Sequence, residues 1–140
     1  MGKINNIKVA ENFKLSEFED TRTGEVRIDP DLIKVLQQIR TEIGKPIQIT
    51  SGYRTKQTHV DIYKKQYSDD WGDHIAWGSK HLLGKAVDFT IISGKDEDYE
   101  KSIEIAIRSG LIHGIGNGFK KGLFIHIDTR DSKEIVRWNY

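Results

Sequence analysis

His81, Asp88 and His126 are the residues whose types and spacing can do chemistry together. His81 and Asp88 belong to Ser79-Lys80-His81-Leu82-Leu83-Gly84-Lys85-Ala86-Val87-Asp88, one before a glycine turn and the other inside an apolar run, and His126 lies in the strand-like stretch Leu123 to Asp128. Two imidazoles and one carboxylate form a zinc set that leaves a fourth position for water, whose pKa the metal brings toward neutrality. Hydrolysis of an amide then needs a base, an acid for the leaving amine and positive charge near the developing oxyanion. Arg54, beside Gly52 at the end of a short strand, can supply that charge or fix a substrate carboxylate through its forked donors. Asp128 shares a period-two face with His126 and Arg130, so it can move a proton, orient His126 or pair with Arg130. Each residue alone has a plainer reading, because a lone strand histidine is usually a satisfied core residue and a carboxylate beside a glycine turn is usually a hydrogen-bonded cap. His59, His74 and His113 show no metal spacing and read as structural or solvent-exposed.

Composition bounds what can carry that site. A chain of 140 residues is near the commonest size for one domain, so residues 1–140 are expected to form a single unit around one core. With 31% charged residues and a formal net charge of +1, there is no surplus of positive charge for nucleic acid and no disordered composition. The absence of cysteine excludes disulfides and thiolate metal sites, leaving His, Asp and Glu as zinc ligands. Met1 to Ala10 lacks the apolar core of a signal peptide, and no run approaches a transmembrane span, so no membrane insertion is expected.

The elements that must position these residues follow in order. Residues 1–12 are polar and are expected to extend over the surface, and Phe13, Leu15 and Phe18 predict a helical turn capped by Ser16 and lying as a lid on the core. Thr21 to Arg27 reads as a loop. Asp29-Pro30-Asp31 starts a helix whose apolar positions Leu32, Ile33, Leu36, Ile39 and Ile43 recur at three and four, and Gly44 and Pro46 close it. Ile47 to Thr50 alternates as a strand and delivers Ser51-Gly52-Tyr53-Arg54. Thr55 to Tyr67 predicts a helix or a partly helical loop. Ser68 to Gly78 is an excursion whose Trp71 and Trp77 either line a groove or cover the core.

Ala86 to Ile92 predicts a strand with Ala86, Asp88 and Thr90 on one face, away from Val87, Phe89 and Ile91. Asp96 to Ser109 predicts a second helix with an apolar stripe of Tyr99, Ile103, Ala106 and Ile107, stopped by Gly110. Leu111 to Gly116 resumes strand character, Asn117-Gly118 favours a tight hairpin, and Leu123 to Asp128 returns with His126 and Asp128 on one face. Ile135, Val136 and Trp138 form a short edge strand or pack back on the core.

Four segments carry a resemblance: Phe13 to Phe18 as F-x-L-S-E-F, Ser51 to Arg54 as S-G-Y-R, Ser79 to Asp88 as S-x-H-x-x-G-x-A-x-D, and His126 to Asp128 as H-x-D. In this order, over nearly the whole chain, they resemble the zinc D-Ala-D-Ala carboxypeptidase family, which includes phage endolysins and wall-trimming peptidases, in its small single-domain branch. The resemblance implies an α+β fold with a small antiparallel sheet carrying the zinc site, flanked by two to three helices, a fold shared with the hedgehog signalling domain. It implies Zn2+ held by His81, Asp88 and His126, with Arg54 engaging the substrate near the scissile bond and Ser79 supporting the site beside it. Many relatives place a catalytic acid or His two or three residues before the last zinc ligand, where this chain has Phe124 and Leu123, so Asp128 is the expected general base.

The expectation is a zinc metallopeptidase acting as a monomer on peptidoglycan stem peptides or cross-links, cutting a D,D or L,D bond as carboxypeptidase or endopeptidase, in the role of a phage or prophage endolysin. Made without a signal peptide, a lysin of this kind reaches the wall after release through a partner's pore. The alternative from another class is a catalytically inactive, zinc-stabilised wall-binding module.

Overall fold

Asp29 starts the first helix as its type demands. Its carboxylate accepts from the Asp31 amide at 2.9 Å, Pro30 takes the first helical position, and the helix, α1, runs Pro30–Ile43 before Gly44 ends it in a left-handed turn. Leu32, Val35, Leu36 and Ile39 form its buried face. A computed structural model describes residues 4–140, so Met1 to Lys3 of the N-terminal segment lie outside the described residues. The rest of that segment does more than extend over the surface. Strand β1 (Lys8–Ala10) pairs antiparallel with β2 (Phe13–Lys14).

The turn after β2 is a 3-10 helix, Leu15–Phe18, and Ser16 does not cap it. The Lys14 amide instead donates to the Glu17 carboxylate at 2.7 Å, because a side chain three residues ahead can fold back on the first free donor. Phe13 and Phe18 are buried in the main apolar cluster with α1, so the segment belongs to the core.

Strand β3 (Ile47–Ser51), α2 (Lys56–Tyr67), the single turn α3 (Trp71–His74), β4 (Ala86–Ile91), α4 (Asp96–Ser109), β5 (Gly114–Asn117), β6 (Ile125–Asp128) and β7 (Val136–Asn139) complete the chain. The five-stranded sheet has the order β3-β4-β6-β5-β7, antiparallel except for the last pair, where β7 runs parallel to β5. The architecture is α+β with three helices longer than a turn. On one sheet face Val87, Phe89, Ile91, Ile115, Ile125 and Ile127 join the buried faces of α1 and α4 in one cluster. The other face is free to carry polar groups.

Three local expectations differ. The connection from β5 to β6 is no tight hairpin: Gly118 precedes a 3-10 turn, Phe119–Lys121, and β6 begins only at Ile125. Buried Phe119 stacks on Tyr99 at 5.2 Å, and that apolar anchor draws the loop onto α4. On α4 the inward stripe includes Ser102 and Ile105, while Ile107 is 37% exposed at its edge, because Ser102 satisfies its hydroxyl on the Tyr99 carbonyl and lets that side approach the sheet. Leu111 to His113 precede the strand β5 rather than belonging to it.

Candidate active site

Strand register brings the chemistry-bearing residues together on the polar face of the sheet. Asp88 of β4 lies directly opposite His126 of β6, and Ala86 lies opposite Asp128. An irregularity between Ile49 and Ser51 of β3 sets Ser51 across from Asp88, on the same face. His81 arrives from a 3-10 turn, Lys80–Leu83, that ends at Gly84 with φ of 70°, a left-handed conformation costly for any residue with a side chain. Across this turn the chain swings from one ligand type to the other.

His81, Asp88 and His126 are all buried, and each offers a ligand atom within 4.8 Å of the others. His81 Nε2 lies 3.3 Å from Asp88 Oδ2, and His126 Nδ1 lies 2.9 Å from Asp88 Oδ1. The His81 Nδ1–H donates to the Gly52 carbonyl at 2.8 Å, which leaves Nε2 with its lone pair toward Asp88 and His126. Burial pushes the Asp88 carboxyl up, but the His126 and His81 rings beside it outweigh this and hold it down at about 2. His126 is disfavoured as a cation by burial, yet Asp128 and Asp88 at its two nitrogens raise its pKa. A nitrogen-and-carboxylate set of this size, buried and aimed at one point, fits zinc.

Asp128 stands behind His126. Its side chain is 0% exposed, and Oδ2 accepts from His126 Nε2 at 2.7 Å. Arg130 donates through Nε to Oδ1 at 2.9 Å, through Nη2 to Oδ2 at 2.8 Å, and through its own amide to Oδ1 at 3.1 Å. Burial acts to raise the Asp128 pKa, but these donors hold it far below the usual carboxylate range. Gly114 lies opposite Asp128 in the β5–β6 ladder, and a Cβ there would collide with the carboxylate, so only glycine leaves room for it. The Trp138 ring of β7 covers the assembly, with the Arg130 guanidinium 5.1 Å above its centre and the His126 ring 5.2 Å away.

Arg54 sits at the lip. Its Nη2 is 4.0 Å from Asp88 Oδ2, its Nε donates to Ser51 Oγ at 3.2 Å, and it borders three adjoining cavities. One of these, of about 290 Å³, opens onto His81, Asp88 and His126 and is also lined by Tyr63, Ser79 and Tyr140. Ser79 thus faces the same space as the three candidate ligands. Trp77 is exposed and lines the next cavity, so it borders a groove and is no cover for the core, while Trp71 packs under the Lys64 ammonium.

Local sequence signals left His59 unassigned between structural and exposed roles, and the structure buries it completely. Its Nε2–H donates to the Ala76 carbonyl at 2.8 Å, which leaves Nδ1 to accept from Arg54 Nη1 at 3.5 Å. His59 lies on the first turn of α2 while Arg54 precedes the Thr55 cap, so no regular helical spacing announces their contact. Trp138 and Tyr140 had no local signal either, because they reach the site only through the parallel pairing of β7 with β5.

Among the described residues, only this face of the sheet gathers three metal-ligating groups, and the class that the fold and the site define is a metallohydrolase. A family model described as peptidoglycan L,D-endopeptidase MepK matches residues 7–136. The chain belongs to this family of zinc-type peptidases acting on peptidoglycan. No curated protein matches it. None of the described helices is long and apolar enough to cross a membrane.

Proposed function

We propose that the protein is a zinc-dependent endopeptidase that cuts an L,D bond in peptidoglycan stems or cross-links, with His81 Nε2, Asp88 and His126 Nδ1 as metal ligands. The observation that carries this reading is the convergence of those three groups with their tautomers set from behind, by the Gly52 carbonyl for His81 and by Asp128 for His126. The L,D bond follows the description of the matching family. When bound, zinc supplies Lewis acidity and acidifies water at the site. Arg54 holds a substrate carboxylate or the negative charge that develops beside it. Ser79 lines the wall against which the peptide lies. Burial raises the Tyr140 phenol, which keeps its proton and offers a hydrogen-bond donor to the substrate backbone.

In this reading Asp128 is a positioning residue rather than the general base. Both of its oxygens already accept from His126 and Arg130, and a carboxylate held so low is a weak proton acceptor.

Purified sacculi incubated with the zinc-loaded protein test the proposal. New amino termini should appear, mass spectrometry should place them at an L,D bond, and His126→Ala should release none and hold no zinc. One equivalent of zinc without any cleavage would instead support a wall-binding module. An endolysin role is tested by expression beside a pore-forming partner, where lysis should require intact His81, Asp88 and His126.

A further inference from the structure

The cavity next to the metal centre, of about 370 Å³, shares Arg54, Ser79 and Lys80 with it and adds Arg27, Lys56 and Trp77. Four cationic side chains therefore line one concavity, and no carboxylate does. Arg27, Lys56 and Lys80 make no ion pair among the described residues, and the one carboxylate within 4.0 Å of Arg54 among them is Asp88. The chain as a whole carries a formal charge of only +1, so this concentration of positive charge is a property of the fold and not of composition. Like charges gathered in a concave surface without counter-ions create a positive potential there, and such a potential selects anions. Trp77 at 55% exposure and Leu83 at 57% add an apolar wall to the same cavity.

We infer that this cavity is a subsite for the free carboxylates of an acidic peptide segment that lies beside the bond at the metal centre. Resting on the peptidase reading, the occupant is the acidic part of a peptidoglycan stem, its carboxylates toward Arg27, Lys56 and Lys80 and its aliphatic body against Trp77. The subsite makes the protein selective for stems whose carboxylates are free over stems in which they are amidated. Because it shares Arg54 with the metal centre, a carboxylate seated there fixes the register of the peptide across the site.

The test uses calorimetric titration of the zinc-loaded protein with two synthetic stem peptides, N-methylated at the backbone so that neither is cut. One carries free carboxylates and the other carboxamides. The carboxylate peptide should bind roughly tenfold more tightly, and the preference should shrink as ionic strength rises. In the double variant Arg27→Gln with Lys56→Gln, both exposed positions, the preference should fall to about twofold or less, with the circular dichroism spectrum unchanged. Equal affinity for the two peptides in the parent overturns the inference, and so does a preference that survives in the double variant. A glycerol phosphate polymer that displaces the carboxylate peptide at equal anion concentration assigns the cavity to another wall component and also overturns it. Cleavage of the unmethylated peptide is read separately: discrimination without cleavage retains the subsite and sinks the peptidase reading.

Discussion

Asp20 offers the most quantitative test of how the Arg54 loop is held. This carboxylate is almost fully buried with no cation beside it, and it accepts instead from the Thr55 amide at 2.8 Å, the Arg22 amide at 2.9 Å, the Thr23 amide at 3.0 Å and the Thr58 hydroxyl at 3.0 Å. It thereby ties the Thr21 to Arg27 loop to the start of α2, next to Arg54. Burial pushes its pKa up, but the hydrogen bonds together bring it from the ordinary 3.8 down to about 2. A difference of that size corresponds to about 2 kcal/mol at neutral pH. Since the folded pKa is the lower one, this stabilisation is complete above the unfolded value and is lost as pH falls through the folded one. Asp20→Asn keeps the shape and removes the titration. Urea unfolding should show the variant about 2 kcal/mol less stable at pH 7, with the gap closing between about pH 4 and pH 2. A gap that stays constant over that range, or is absent at pH 7, would refute the argument that the charge on Asp20 organises these donors. The variant should also raise KM more than it lowers kcat, because its effect reaches substrate through the placement of Arg54.

Further outcomes follow from the site. Asp128→Asn should weaken zinc binding by roughly 10- to 100-fold, as expected when a ligand loses its orienting carboxylate; full zinc affinity with abolished turnover would return Asp128 to a proton-transfer role. Gly114→Ala should displace the Asp128 carboxylate and lower zinc affinity in the same direction, measured by competition with a chromophoric chelator. His59→Phe removes the acceptor for Arg54 and orphans the Ala76 carbonyl, so stability should fall by about 1–3 kcal/mol and KM should rise while zinc content stays at the parent's level.

Much of the scaffold was legible because its signals are local. Asp29-Pro30 and Gly44 bound α1 through caps formed within a few residues of chain, and the period of two in β4 and β6 already placed Asp88, His126 and Asp128 on the faces they occupy. The β5–β6 connection misled because Asn117-Gly118 is a local turn signal, overruled by the non-local burial of Phe119 against Tyr99. Of the two readings of the tail, the edge strand is the one the structure shows in β7, but its parallel direction and its pairing with β5 carry no local signal.

What the sequence by itself determined is the set of donors: two imidazoles and a carboxylate in a specific ten-residue pattern and a later strand, with an arginine upstream and no thiol to compete. Tertiary structure alone decided how they are held. Folding sets which neighbours claim the Asp128 oxygens, and Arg130 and His126 claim both, which is the basis of the positioning role proposed for it. Likewise the cations at 27, 54, 56 and 80 lie in three separate stretches of a nearly neutral chain, and only folding brings them to one cavity wall. Residue types fix which interactions are available, while hydrogen-bond geometry and charge proximity are distances in space that spacing along the chain does not contain.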